Sequence, residues 1–177
     1  MEFFKATLDS ESVSSTIMSL LPIIMGIGIL VMRKMKDLPK AGKRTLLYTG
    51  LFLLVVSTTL TITGYIYCIK GYRVTTDKLI IQRPFEQFNV ETPLADIKEV
   101  RLLNDSEMIH TERPFGNDGL FGYTGNYRNP KLGDFKKYAT SRKNLLLVTL
   151  KGNGEKYIIT PDNISLMDTL NNRILKK

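Results

Sequence analysis

The sequence contains one histidine and one cysteine, which limits the chemistry that it can carry out. His110 lies in a segment without clear periodicity, and Cys68 lies within a long apolar run. Ser-His-Asp and Cys-His catalysis need a histidine beside the nucleophile, and zinc-type sites need several His or Cys ligands. The acidic residues Asp105, Glu107 and Glu112 lack the spacing of a calcium-binding loop. We therefore expect no catalytic residues, no metal site and no cofactor, and an enzyme is disfavoured.

A glycine-rich segment over residues 119–125 invites comparison with the loops that bind phosphates. It lacks the Gly-Lys-Ser/Thr ending of such loops, and no strand-to-helix frame surrounds it. Glycines spaced by three, with aromatic residues between them, favour a tight loop whose rings pack on the domain. The functional alternative is that Phe121 and Tyr123 line a groove or insert at a lipid interface, where amphipathic rings are favoured.

Basic and aromatic residues are mixed in the segment that follows, over residues 127–143. Such a cluster could contact anionic lipid headgroups or an acidic partner, and the alternative is a solvated basic face next to a membrane. The residues predicted to bind a ligand or the membrane surface are Phe121, Tyr123, Arg128, Lys136, Lys137, Arg142 and Lys143.

Two uncharged segments, residues 13–32 and 45–69, precede this region. At ~1.5 Å per residue the first spans about 30 Å, roughly the hydrocarbon thickness of a bilayer, and the second is longer. Neither segment has a polar face at helical spacing, as a helix on the surface of a soluble protein would. The sequence predicts a transmembrane hairpin over residues 13–69, after an N-terminal tail over residues 1–12 and before one domain over residues 70–177.

The two predicted spans contain no acidic, basic or histidine side chain, so they favour an anchor over a channel or a transporter. Each span has small residues on one face, which suits close helix packing in lipid. These are Ser15, Ser19, Pro22 and Gly26 in the first span and Gly50, Ser57, Thr61 and Gly64 in the second.

The net charge of +8 is concentrated partly in the connector, residues 33–44, which carries six basic residues and one acidic residue. This dense block between two spans favours a cytoplasmic connector and an extracytoplasmic C-terminal domain. The residues that flank the spans on the domain side are also basic, so the charge difference between the two sides is small. The distribution is not that of a nucleic-acid-binding protein.

The pattern after residue 70 predicts short antiparallel strands followed by one helix. Strands are predicted over 72–74, 78–82, 88–90, 100–103, 145–150 and 156–160. Residues 153–154, Asn-Gly, predict the turn of the last hairpin. Residues 104–143 show no clear periodicity and are expected to form a long, aromatic loop. Asp162 is the expected N-cap of a C-terminal amphipathic helix with an apolar stripe at Ile164, Met167, Leu170 and Ile174.

The order of short motifs resembles a bacterial pleckstrin-homology-like (PH-like) family of membrane-anchored proteins, mostly of unknown function. The motifs that carry the resemblance are Tyr72-Arg73-Val74, Leu79-Ile80-Ile81, Pro93-Leu94-Ala95-Asp96-Ile97, residues 119–125, Leu132-Gly133-Asp134-Phe135, Tyr138-Ala139-Thr140, Tyr157-Ile158-Ile159-Thr160-Pro161-Asp162 and the last helix. The resemblance implies a bent antiparallel sheet or open barrel with one C-terminal amphipathic helix, behind a two-helix transmembrane hairpin. It implies no catalytic residues.

These features favour a non-catalytic interaction module at a cell membrane that recognises a protein, a peptide or a lipid. The alternative is an immunity protein of the cell envelope that protects against a peptide toxin. The expected partners are the lipid bilayer itself and a membrane protein or peptide, with no nucleic acid. The sequence leaves the oligomeric state and the identity of a ligand open.

Overall fold

The structure is a computed structural model that describes residues 1–34, 39–152 and 154–175. Within the predicted connector, residues 35–38 lie outside the described residues, and so does Asn153 of the predicted Asn-Gly turn. The helices are α1 (Ser10–Met32), α2 (Lys40–Tyr67) and α3 (Ser165–Leu175). The strands are β1 (Glu2–Lys5), β2 (Gly71–Val74), β3 (Lys78–Gln82), β4 (Val90–Pro93), β5 (Ile97–Leu102), β6 (Glu112–Gly119), β7 (Gly122–Asn129), β8 (Gly133–Ala139), β9 (Leu146–Leu150) and β10 (Lys156–Ile159).

Helices α1 and α2 pack against each other at glycines, as the small-residue faces predict. A Cβ atom on Gly50 would lie 2.8 Å from the Leu30 side chain and 3.1 Å from the carbonyl oxygen of Gly26. Only glycine permits this approach, because any side chain here would push the helices apart. Both helices are long and apolar enough to cross a membrane, and most of their apolar side chains are exposed.

The strands form two open sheets that do not close into a barrel. The first has the order β1-β2-β3-β4 and the second β5-β9-β10-β8-β7-β6. All pairs are antiparallel except β8 with β10, which run parallel. The predicted fold class, an apolar helical hairpin followed by a mainly-β domain with one C-terminal helix, is confirmed, and the parallel pair is the departure from the expected antiparallel series.

The predicted long loop over residues 104–143 is wrong, because most of it forms the meander β6-β7-β8. Alternate residues on one face of β7 and β8, Tyr123, Tyr127, Phe135 and Ala139, are buried. Gly125 and Lys137 lie opposite each other on the same face, and they interrupt the apolar alternation in the sequence.

Two neighbouring cores hold the domain together. The larger lies between the two sheets and α3, where Leu166 and Leu170 of α3 are fully buried. The smaller lies under β7 and β8 and includes Tyr127 and Phe135, whose rings stack with centroids 5.8 Å apart. Met167 and Ile174 pack on the larger core, as the predicted stripe requires, whereas Ile164 precedes α3 and is exposed.

The N-terminal residues 2–5 form an edge strand of the first sheet. Strand β1 pairs with β2, with Phe4 opposite Tyr72, and the Glu2 carboxylate accepts a hydrogen bond from Arg173 of α3 at 2.7 Å. Asp162, the predicted N-cap of α3, instead accepts hydrogen bonds from the backbone N–H and the hydroxyl of Thr7, at 2.7 and 2.6 Å. The segment before α1 is therefore part of the folded domain.

Candidate functional site

The turn between β6 and β7, residues 119–122, is a tight two-residue turn at the end of a long hairpin. Phe121 has φ of 56° and the flanking Gly119 and Gly122 have φ of 111° and 112°. A Cβ atom on Gly122 would lie 2.7 Å from the carbonyl oxygen of Ala139, so this position requires glycine for its conformation and for its neighbour. The glycine spacing seen in the sequence therefore shapes a hairpin tip and not a phosphate-binding loop.

This hairpin tip docks on the two apolar helices. The Phe121 N–H donates a hydrogen bond to Thr16 Oγ1 of α1 at 2.9 Å. The Leu120 and Phe121 side chains cover Gly64 of α2, where a Cβ atom would lie within 3.0 Å of both. The Phe121 ring meets Tyr65 edge-on, with centroids 5.9 Å apart. The tip thus contacts both helices near the ends that lead into the domain.

A second connection is the Asp9 cluster, which consists of Asp9, Glu11, Tyr123 and Arg142. The Asp9 carboxylate caps α1 by accepting from the Ser12 N–H at 2.8 Å. It also accepts from the Tyr123 hydroxyl at 3.1 Å and from the Arg142 N–H at 3.2 Å. The Arg142 guanidinium forms an ion pair with Glu11 at 3.1 Å. These contacts join the first turn of α1 to β7 and to the segment after β8.

We predict that the Asp9 cluster weakens in acid. Burial opposes ionisation of Asp9, but the hydrogen bonds from Ser12, Tyr123 and Arg142 outweigh it and lower the pKa of Asp9 from its ordinary value. A carboxyl whose pKa is lower in the folded chain than in the unfolded chain stabilises the fold. Its full contribution is present at pH values above the unfolded-state pKa, and it is lost as the pH falls through the folded-state pKa. Asp9→Asn keeps a good N-cap but removes the charge, so it should cost about 1–2 kcal/mol at pH 7.

Denaturant unfolding of the full chain in detergent between pH 7 and pH 2 measures this effect. The wild type should lose more stability than Asp9→Asn below pH 4. Asp168→Asn, at an exposed position of α3, is the control, and its stability curve should run parallel to that of the wild type. Parallel stability curves for the wild type and Asp9→Asn would contradict the assignment.

The structure divides the predicted basic cluster between the two faces of the β6-β7-β8 meander. Tyr123, Lys137 and Arg142 meet on one face, with the Lys137 Nζ 4.6 Å and the Arg142 guanidinium 5.3 Å from the centre of the Tyr123 ring. Arg128 and Lys136 lie on the other face, because side chains alternate along a strand. The seven predicted residues therefore do not form one continuous surface.

Most of the predicted basic side chains have acidic neighbours. Arg128 pairs with Asp134 at 2.6 Å, and Lys136 pairs with Glu155. Lys137 is buried, whereas Lys143 is exposed in the segment beside α1. Exposed ion pairs contribute little and exchange readily, so these pairs are compatible with contacts to headgroups. Binding by these residues stays a prediction.

A cavity of about 690 Å³ lies between α2 and the outer face of the meander, and sequence reasoning missed it. We call it the Arg83 cavity. Arg83 follows β3 and is partly buried, with its guanidinium 5.0 Å from the centre of the Tyr67 ring and 5.7 Å from that of Tyr138. No described residue accepts a hydrogen bond from its buried Nε. Burial lowers the pKa of Arg83, and a guanidinium remains charged at any physiological pH.

The Arg83 cavity is mainly apolar, and none of the described residues that line it is acidic. Its lining residues are Leu60, Thr63, Gly64, Tyr67, Arg83, Phe115, Gly116, Asn117, Leu120, Thr124, Gly125, Asn126, Lys136 and Tyr138. Only the three-dimensional fold brings this arginine, the end of α2 and the meander together. No spacing in the sequence could have indicated it.

Comparison with models of known protein families identifies the family of the domain. The model described as the bacterial PH domain matches residues 70–174, which is more than half of the chain. The chain belongs to the bacterial PH domain family. The matched range covers β2 to α3 of the PH domain and leaves out β1, α1 and α2. Comparison with curated proteins and with solved structures gave no match.

The described part of the PH domain and its helices, residues 1–34, 39–152 and 154–175, holds no cluster of three His, Cys, Asp or Glu residues that could bind a metal ion. The candidate recognition surfaces are the exposed ion-paired face around Lys136 and the Arg83 cavity, whereas Tyr123 and Lys137 are buried. These features can bind an anionic or amphipathic ligand through hydrogen bonds, charge and ring contacts.

Proposed function

We propose that α1 and α2 cross a cell membrane and hold the PH domain at its surface, as a non-catalytic module that recognises a protein, a peptide or a lipid there. The observation that supports this most is the docking of the hairpin tip on both helices. Because Leu120 and Phe121 contact Gly64 and Thr16, the domain is fixed beside the ends of the apolar helices. A flexible tether would not need these contacts.

The aromatic side chains around this docking point suit the boundary between lipid and water. Tyr65 and Tyr67 at the end of α2 are exposed, and so are Phe85 and Phe115 of the domain. Aromatic rings are enriched at membrane interfaces, where an apolar body and a polar edge are both accommodated. The first turn of α1 and the last turn of α2 would therefore lie at headgroup level.

The charges at the opposite ends of the helices support an extracytoplasmic domain. Arg33 and Lys34 follow α1, and Lys40, Lys43 and Arg44 lie in the first turns of α2. Basic residues near the ends of spans are concentrated on the cytoplasmic side. The connector would then face the cytoplasm, and the PH domain would recognise its ligand on the other side of the membrane.

Site-specific photo-crosslinking in cells tests the recognition role. A photoreactive residue at Lys143, exposed beside α1, should give a discrete adduct with one partner. The same residue at Lys98 is the matched control, because Lys98 is exposed on β5, the edge strand farthest from β6 in the second sheet. Identical diffuse adducts from both positions, or no adduct from either, would contradict the proposal. Substrate turnover by the purified full chain would contradict its non-catalytic part.

A further inference from the structure

We propose that the Arg83 cavity binds the phosphate of an anionic phospholipid whose headgroup carries no ammonium group. This inference rests on the proposed insertion of α1 and α2 into a membrane. It names a site that is separate from the basic residues predicted from the sequence, because of those only Lys136 lines the cavity.

The cavity extends from the end of α2 at the domain into the apolar part of that helix. Leu60 and Tyr67, both in its wall, are seven residues apart on α2, which corresponds to about 10 Å along the helix. Tyr67 ends α2 at the level of the domain, and Leu60 lies deeper in the apolar segment. Leu60, Phe115 and Leu120 give the cavity an apolar wall that suits an acyl chain. The part near Arg83 is polar and suits a headgroup.

The burial and the neighbours of Arg83 indicate which chemical group the polar part of the cavity binds. Its Nε is buried without a hydrogen-bond partner among the described residues, which is costly for a charged group. The rings of Tyr67 and Tyr138 flank the guanidinium and hold it within the cavity. A guanidinium held in this way presents a planar fork of donors that matches two phosphate oxygens. A phosphate in the cavity would therefore offset the cost of this charge and accept hydrogen bonds from the part of the guanidinium that lines the wall.

The charges around Arg83 favour some phospholipid headgroups over others. Arg83 and Lys136 line the cavity, and no carboxylate does so in the part of the chain that the structure describes. A choline or ethanolamine headgroup would bring its ammonium close to two cations, whereas a glycerol headgroup would not. The amide of Asn126 and the hydroxyl of Thr124 in the same wall can bond to the hydroxyls of glycerol. Phosphatidylglycerol is therefore a suitable probe.

The test uses the full chain, reconstituted with equal amounts of phosphatidylglycerol and phosphatidylcholine and then transferred to detergent for native mass spectrometry. The wild type should retain phosphatidylglycerol in preference to phosphatidylcholine. Arg83→Gln should lower this retention about ten-fold, since it removes a charge-assisted contact with phosphate. Arg83→Lys, which keeps the charge but loses the fork, should give an intermediate value. Arg113→Gln, at an exposed arginine of β6 that does not line the cavity, is the matched control and should behave as the wild type.

Four results would overturn the inference. Equal retention of the two lipids by the wild type would do so even if Arg83→Gln failed to fold. Unchanged retention in a folded Arg83→Gln would exclude this arginine. Displacement of the lipid by 10 mM inorganic phosphate would show that the site binds free phosphate instead. A chain that does not insert into bilayers would overturn this inference and the proposed function together, whereas the first three results leave the proposed function intact.

Discussion

Replacing Gly125 with alanine should destabilise the PH domain by about 3–5 kcal/mol. Gly125 and Gly116 face each other across β7 and β6, and a Cβ atom on Gly125 would lie 2.4 Å from the Gly116 Cα and from the Phe115 carbonyl oxygen. Gly125 also has φ of 143°, which side chains rarely adopt. The backbone conformation and the clash each cost roughly 1–3 kcal/mol. Since β6 carries the hairpin tip, the substitution should also loosen the domain from the helices.

Denaturant unfolding of the full chain in detergent measures this loss. Gly133→Ala is the matched control, because Gly133 has φ of 74° but no atom lies within 4 Å of its Cβ position. Its cost should be only the conformational one, about 1–2 kcal/mol. If the two variants were equally stable, the close approach of β6 and β7 at this glycine pair would be wrong.

Replacing Tyr72 with phenylalanine should cost about 2–4 kcal/mol. The Tyr72 hydroxyl donates to the Tyr138 carbonyl oxygen at 2.7 Å and accepts from the Thr160 N–H at 2.9 Å. It connects β2 of the first sheet to β8 and to the end of β10 in the second. Burial raises the pKa of Tyr72, so the hydroxyl stays protonated. Without it, two backbone groups would each lose a partner, at about 1–3 kcal/mol for each one left unsatisfied.

The same unfolding experiment, with Tyr48→Phe as the control, measures the contribution of the Tyr72 hydroxyl to the free energy of unfolding. Tyr48 is 68% exposed on α2, and its hydroxyl should contribute little. A Tyr72→Phe variant as stable as the control would show that the two sheets are not joined through this hydroxyl.

Long apolar segments and tight hairpins were the predictable parts of the fold. Residues 13–32 and 45–69 correspond to α1 and α2, and strands β2 and β3 lie close to their predicted bounds, because both patterns are local. The meander β6-β8 was missed since its buried face uses tyrosine, alanine and glycine, which give weak alternation. Strand β1 was missed because four residues before an apolar helix acquire their partner, β2, only in the folded chain.

The candidate site was less predictable than the fold. The basic residues after position 127 are close in sequence, but the two-residue period of β8 places Lys136 and Lys137 on opposite faces. Their acidic partners, such as Glu155 for Lys136, are distant in sequence. Arg83 belongs to no recognisable sequence motif, because the residues that surround it come from α2, β3 and β8. Contacts between segments that are distant in sequence therefore determine where each charged side chain lies and which side chains it contacts.

Thiol labelling of the full chain in intact cells tests most directly whether α1 and α2 place the PH domain across a membrane from the connector. The native Cys68 is first replaced by serine, and single cysteines are introduced as Lys43→Cys, in the first turn of α2, or Lys98→Cys, on the exposed surface of β5. A membrane-impermeant maleimide should label Lys98→Cys in intact cells and Lys43→Cys only after permeabilisation. The reverse pattern would place the domain in the cytoplasm. Equal labelling of both positions before permeabilisation would contradict the crossing itself.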